Sequence, residues 1–451
     1  MPNDFETFRD PLLSVFQSAV EEIGQKLDSS TTKLQRAGVV RSAFSQVRED
    51  ARNIARQEVG LPQLDQGGMR PRDLKLRQVP RLCTELALRY LKALARKSDD
   101  ARQQVASEYI GSPCDSAWLA TLEEYHRYFG PNGDRATIPY VRAADIGDKV
   151  IPIDANARIA LFADWGTGAR PALDILKDIA SHSPDVLIHL GDIYYSGTPH
   201  ECRENFLTPI DRVFRKGGNQ AVYTLSGNHD MYCGGVGLYE LIRDLNVAPR
   251  DQGASFFCLR STDEKWQFLA MDTGLHDYSP YGMADALTRI EDDELAWHVR
   301  RISEFEGKTI LLSHHQLFSS FSTVGPETVL GKRSALNPNL LKAFRALADK
   351  GKIVAWFWGH EHSLSIYQPF AGLERGRCIG HGAIPVSTID DIYRGVDGFD
   401  EAPQLIPNTR LGSTGDVWNH GYTILSLQGD SCQAAYYELT PTQRKIFEER
   451  F

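Results

Sequence analysis

The stretch VLIHLGDIYYSG, residues 186–197, begins as an apolar run, turns at a Gly-Asp pair and continues with two adjacent tyrosines. A short apolar run bounded by turn residues reads as a buried strand. The same design recurs in RIALFAD (158–164), AVYTLSGNHD (221–230), KWQFLAMDTG (265–274), KTILLSHH (308–315) and KIVAWFWGHEH (352–362). Each run ends in Asp, Asn or His. Amphipathic segments lie between several of them, at 171–182, 294–305 and 339–350, and GYTILSLQGDSCQAAYYEL (421–439) reads as a closing hairpin. Alternation of this kind predicts an α/β domain whose strand ends collect on one side, where such sheets place their chemistry.

Upstream the pattern changes. From Phe5 to about Phe129 apolar residues recur every three or four positions, which predicts an all-helical region. Its breaks fall at GLPQLDQGGMRP (60–71) and GSPCDS (111–116), and FGPNGDRATIPY (129–140) marks its end. The expected division is a helical domain over 1–140, of unknown role, and a catalytic domain over 155–441. Arg48, Arg52 and Arg56 share one helix face, but Glu49, Asp50 and Glu58 are interleaved, as on an ordinary solvated face. Self-association or binding of a protein partner is the expectation for this region.

The chain has 451 residues, 42% hydrophobic and 24% charged, a length that calls for more than one small core. A formal net charge of -9 repels phosphate polymers, so general nucleic-acid binding is not expected and a small phosphorylated substrate would need local cations. Seven cysteines without a CxxC pair indicate neither a disulfide framework nor a thiolate zinc site. No run approaches the roughly 18 apolar residues of a membrane span, and the N-terminus has no basic segment followed by an apolar one. A cytoplasmic protein away from membranes is expected.

The polar residues at the strand ends are Asp164, Asp192, Tyr195, Asn228, His229, His314, His360 and His362. Singly, each has a bland explanation: a strand-end Asp caps a helix more often than it binds a metal, and a lone buried His is usually structural. Five clusters in one domain are hard to explain by packing. Carboxylate oxygens, imidazole nitrogens and an amide carbonyl, without thiolate, suit iron, manganese or zinc. One carboxylate can bridge two ions, and Asp192 is the central candidate. In GHEH, His360 and His362 serve neighbouring metals only if the backbone bends between them.

Taken in order, these blocks resemble the calcineurin-like metallophosphoesterase superfamily, whose pattern is an Asp block, GDxxx, GNH(D/E), a histidine after an apolar strand, and GHxH. The resemblance covers roughly the last two thirds of the chain. It implies a β-sandwich of two mixed sheets flanked by helices, preceded here by the all-α region. Many members carry D-x-H in the first block, but Asp164 is followed by Trp165 and Gly166. The purple acid phosphatase branch has DxG there and supplies a tyrosine from GDxxY, which matches Tyr195.

That resemblance implies metal one held by Asp164, Asp192, Tyr195 and His362, and metal two by Asp192, Asn228, His314 and His360. Iron paired with iron, manganese or zinc would be the expected cofactor. Tyr194 and Tyr195 would point oppositely on an extended segment, one facing the metals and one packing; the alternative is that both belong to the core or rim. His229 resembles the family histidine that bonds the phosphate or protonates the leaving oxygen. Asp230 would hold its ring, or else serve as a turn residue bonding backbone. His315 faces either the core or the substrate, and His381 is more readily structural than a support for the metals.

The implied activity is hydrolysis of phosphate esters, foremost monoesters, by a hydroxide activated at a dinuclear centre. A phosphodiesterase acting on cyclic nucleotides or nucleic acid would use the same metals with a different substrate wall. A metal-stabilised interaction protein without catalysis is the third possibility. The segment 387–420, long and rich in turn residues, is expected to be a substrate-facing or surface loop.

Overall fold

The computed structural model of the chain describes Tyr128 and residues 138–451, apart from 216–219, 279–286, 326–333, 385, 387, 389–390, 400, 415–416 and 441–442. The expected helical region, with Arg48, Arg52 and Arg56, lies outside the described residues except for Tyr128 and 138–140.

In chain order the strands are β1 (Ile151–Ile153), β2 (Arg158–Phe162), β3 (Val186–His189), β4 (Ala221–Thr224), β5 (Phe257–Ser261), β6 (Trp266–Ala270), β7 (Lys308–Leu312) and β8 (Lys352–Trp358). After them come β9 (Leu364–Ile366), β10 (Gly376–Ile379), the small β11 (Ser413–Thr414) and β12 (Val417–Trp418), then β13 (His420–Gln428), β14 (Ser431–Leu439) and β15 (Gln443–Arg450). The longer helices are α1 (Arg170–Ser181), α2 (Val236–Leu245), α3 (Asp292–Ser303) and α4 (Pro338–Ala348). Two mixed sheets form, β1-β5-β6-β7-β8-β10-β9 and β15-β14-β13-β2-β3-β4. They also take in β1 and β15, on either side of the expected 155–441 span.

Side chains alternating along each strand explain the layering. On β2, Ile159 and Leu161 enter the core between the sheets, whereas Ala160 and Phe162 face the helices outside. On β8, Ala355 and Phe357 point inward and Trp356 and Trp358 outward. Helix α1 covers one outer face with Ala172, Ile175, Leu176 and Ile179. Helices α3 and α4 cover the other with Trp297, Ile302, Leu340, Phe344 and Leu347. Asn337 starts α4 by accepting the amides of Asn339 and Leu340 (2.9 and 3.2 Å), and Pro338 occupies a first-turn position where no amide is needed. The result is a sandwich of two mixed sheets flanked by helices, as expected.

Arg377 of β10 clips the two sheets together. Its guanidinium makes two 2.7 Å bonds to the Glu449 carboxylate on β15, and Tyr436 of β14 donates to the same carboxylate at 2.6 Å. The Arg377 side chain is only 2% exposed, so losing Glu449 would strand a buried charge.

Strands β2, β3 and β4 run parallel side by side, as do β7 and β8 in the opposite sheet. Their C-terminal ends meet at one edge of the sandwich. Because both faces of each sheet are covered by apolar layers, the polar residues of these strands collect at that edge. Among the described residues no helix is long and apolar enough to cross a membrane.

Candidate metal centre

The first three blocks leave adjacent parallel strands, so Asp164, Asp192 and Asn228 arrive together at the ends of β2, β3 and β4. Close packing there depends on glycine. A Cβ on Gly227 would lie 2.0 Å from Asp192 Oδ1, and one on Gly191, at φ +102°, would lie 2.7 Å from His314 Nδ1. Asp164, Asp192 and His360 hold φ of +52°, +73° and +67°, a left-handed backbone costing about 1 to 3 kcal/mol per residue. Three of the expected ligands thus sit in strained conformations. His360 supplies the bend anticipated within GHEH.

One half of the site is built around Asp164, Asp192 and His362. The Tyr194 hydroxyl lies 3.1 Å from Asp164 Oδ1, 3.2 Å from Asp192 Oδ2 and 3.3 Å from His362 Nε2. His362 Nε2 is itself 3.6 Å from Asp164 Oδ1. The phenol in this half is therefore that of Tyr194, the residue expected to pack. Tyr195 is buried beside Tyr194, Ile384 and Val386, and its backbone amide donates to Glu201 Oε1 at 2.6 Å. The reason for the difference is local: residues 194–196 form a turn, with the Gly197 amide bonded to the Ile193 carbonyl, so the alternation of an extended strand does not apply.

The other half brings Asn228, His314 and His360 together. Asn228 Oδ1 is 3.2 Å from His314 Nε2 and 3.1 Å from His360 Nδ1, and those two nitrogens are 3.3 Å apart. Asp192 Oδ2 reaches across to His314 Nε2 at 3.5 Å. Asp164, Asp192 and His314 each offer a ligand atom within 4.8 Å of one another, as do His314, His315 and His360.

The donor chemistry of this half fits a cation. His314 Nδ1 faces the Leu190 carbonyl at 2.9 Å, an acceptor, so Nδ1 carries the hydrogen and Nε2 presents a lone pair. The Asn228 amide nitrogen donates to the Tyr232 hydroxyl at 2.7 Å, which turns its carbonyl oxygen toward His314. Lone pair thus faces lone pair. Burial holds the His314 pKa well below its ordinary value, so a proton does not relieve the repulsion, whereas a metal ion would.

His229 and Asp230 occupy the turn after β4. The His229 Nδ1–H donates to the Tyr195 carbonyl at 2.6 Å, and the ring lies between those of Tyr194 and Tyr232, each centroid 4.6 Å away. Asp230 is not what holds that ring. Its carboxylate accepts the amides of Asp192 and Gly227 through Oδ2 (3.0 and 2.8 Å) and of Ile193 through Oδ1 (3.1 Å), clamping the GDI turn to the GNHD turn. Burial pushes its pKa up to about 7, against the pull of those three amides. This is the backbone-bonding alternative for Asp230, extended to a neighbouring turn.

His315 engages both ring nitrogens, Nδ1 at 3.1 Å from Thr273 Oγ1 and Nε2 at 3.2 Å from Asp277 Oδ2. His381 Nε2 contacts the Tyr437 carbonyl at 3.3 Å, a structural position. Of segment 387–420, β11 and β12 form a two-residue ladder, and Tyr393 packs edge-on against Phe321 and Trp418. Asp272, Thr273 and Asp277 were not among the candidates read from the sequence, although AMDTG is a sixth strand end carrying a carboxylate. That signal was available.

Residues 157–364 match the family model for calcineurin-like phosphoesterase. Among solved structures, a dimetal phosphatase from Danio rerio is similar over 65% of this chain and 99% of its own, at 12% identity and a TM-score of 0.39. GAP50, the anchor in the inner membrane complex of Plasmodium, is similar over 65% of this chain and 89% of its own, at 12% identity and a TM-score of 0.37. Vacuolar protein sorting 29 from Cryptosporidium parvum is similar over 66% and 98%, at 10% identity and a TM-score of 0.30. No curated protein matches the chain.

Proposed function

We propose that the chain is a metal-dependent hydrolase of phosphate esters, acting foremost on small phosphomonoesters, with two ions held side by side. Asp164, Asp192, Tyr194 and His362 would hold one, and Asp192, Asn228, His314 and His360 the other. The observation that carries this reading is the position of Asp192 Oδ2, 3.2 Å from the Tyr194 hydroxyl and 3.5 Å from His314 Nε2, where one oxygen serves both halves. When bound, such ions supply Lewis acidity that lowers the pKa of water and neutralises phosphoryl charge.

The DxG of Asp164–Gly166 and a tyrosine among the donors, though it is Tyr194 and not the GDxxY residue Tyr195, support a purple acid phosphatase-like centre with iron in the first position and iron, manganese or zinc in the second. His229 donates its Nδ1–H to the Tyr195 carbonyl, which fixes its ring beside Tyr194 at the first half of the site, and from there it would act on the phosphoryl group. A bound phosphate anion would oppose the burial that holds this imidazole neutral, favouring proton donation to the leaving oxygen. Asp230 keeps the turns in register for that contact.

The test is phosphate release from an aryl monoester, with an aryl diester, a cyclic nucleotide and single-stranded DNA alongside, after loading with iron, manganese or zinc. Metal-dependent turnover led by the monoester is expected. Faster cleavage of a diester, cyclic nucleotide or DNA would make the protein a phosphodiesterase. No turnover of any of them would overturn the hydrolase reading and leave a metal-stabilised interaction protein.

A further inference from the structure

The loop that follows β6, residues 272–278, lies outside the ligand set yet touches both turns that carry the second ion's ligands. Toward the GNHD turn it is seated by Asp272, which accepts the Gly274 and Leu275 amides at 3.0 Å each and the hydroxyls of Ser226 and Ser255. A Cβ on Gly274 would meet the Gly227 carbonyl at 2.7 Å, so the loop backbone rests directly on the residue before Asn228. Toward the SHHQ turn it is seated by Thr273 and Asp277. The His315 backbone amide donates to Thr273 Oγ1 at 3.0 Å, leaving the Thr273 hydroxyl hydrogen for His315 Nδ1 and the Nε2 hydrogen for Asp277 Oδ2.

Both members of the His315–Asp277 pair are buried, with side chains 5% and 2% exposed. The His315 ring then packs on that of His360, centroids 4.5 Å apart, and stands edge-on to His314 at 4.8 Å. We propose that Asp277 and His315 form a latch that pins the 272–278 loop between the Asn228 and His314 turns and fixes the His360 ring, making both of them positioning residues for the second metal ion. This inference rests on the dinuclear reading above. Groups that orient metal ligands without touching the metal typically change affinity about 10- to 100-fold when lost.

The experiment combines amide hydrogen exchange with Mn2+ titration of EDTA-treated full-length protein, comparing wild type, Asp277→Ala, Asp277→Asn and His315→Phe. In Asp277→Ala and His315→Phe, exchange protection at 274–277 is expected to fall and one of the two Mn2+ affinities to drop about 10- to 100-fold, with the other unchanged. Asp277→Asn keeps an oxygen to accept the Nε2 hydrogen and should recover most of both readouts. Wild-type exchange and wild-type affinities in Asp277→Ala would overturn the latch, and so would a loss in Asp277→Asn as large as in Asp277→Ala. Loss of near-ultraviolet circular dichroism in Asp277→Ala would transfer the decision to Asp277→Asn and His315→Phe. Phosphate release plays no part in these readouts, so an inactive wild type would count against the hydrolase reading alone.

Discussion

The hydroxyl of Tyr194 lies 3.1 Å from Asp164 Oδ1, joining a residue after β3 to one after β2. A phenol shared by two carboxylates and an imidazole is placed to become a phenolate once a ferric ion displaces its hydrogen. Ferric protein should then be coloured by phenolate-to-iron charge transfer. Tyr194→Phe should abolish the visible band, and Tyr195→Phe should keep it. An absorption spectrum of the iron-loaded variants checks this, and a band that survives Tyr194→Phe but vanishes in Tyr195→Phe would reverse the assignment.

His229 and Asp230 are adjacent but should fail differently. If His229 acts on the phosphoryl group as proposed, His229→Ala should lower phosphate release about 100-fold or more while metal content holds. Asp230→Ala strands three buried backbone amides, at about 1 to 3 kcal/mol for each unsatisfied group, and should lower both the unfolding midpoint and the metal content. Metal analysis and urea unfolding of the two variants separate the roles.

His189 offers a pH test at a histidine outside the proposed ligand set. Its ring is buried among Phe162, Trp165 and Phe206, and burial lowers its pKa from 6.5 to about 3. Below pH 6.5 the unfolded chain takes up a proton there that the folded chain refuses. Stability from this residue is therefore complete above 6.5 and declines as pH falls toward 3, by at most about 1.4 kcal/mol per pH unit. His189→Phe keeps an aromatic ring in the pocket and should make unfolding of EDTA-treated protein less steeply dependent on pH between 6.5 and 4. An unchanged pH slope would show that His189 is not buried neutral.

The Arg377–Glu449 clip predicts a stability effect far from the chemistry. Glu449→Ala leaves the buried Arg377 guanidinium without its bidentate partner and should cost about 3 to 5 kcal/mol. Replacing Arg377 and Glu449 together with apolar residues should cost less than the single change. Urea unfolding curves of the three proteins measure both numbers.

How far the sequence could be read follows from the same physics. The convergence of Asp164, Asp192, Asn228, His314, His360 and His362 at one edge was legible because each follows an apolar run, and a sandwich covered on both faces leaves polar residues little other place. The choice between Tyr194 and Tyr195 was not, because the alternation used to separate them holds only in extended chain and the segment turns after β3. For Asp230 the sequence left two readings, holding the His229 ring or bonding backbone in a turn; the Gly227 amide three positions earlier fits the second, whereas the Asp192 and Ile193 amides 38 and 37 positions earlier are revealed by no local pattern. Strand β15, QRKIFEER, is mostly charged and half exposed at a sheet edge, so it lacked the apolar signature of the inner strands.

The account turns on Asp192 serving two ions at once, and metal content measures that directly. Wild-type protein loaded with Mn2+ and freed of excess should retain two ions per chain, Asp164→Asn about one, and Asp192→Asn fewer than one. Two ions retained by Asp192→Asn, or a wild type that never holds more than one, would contradict it.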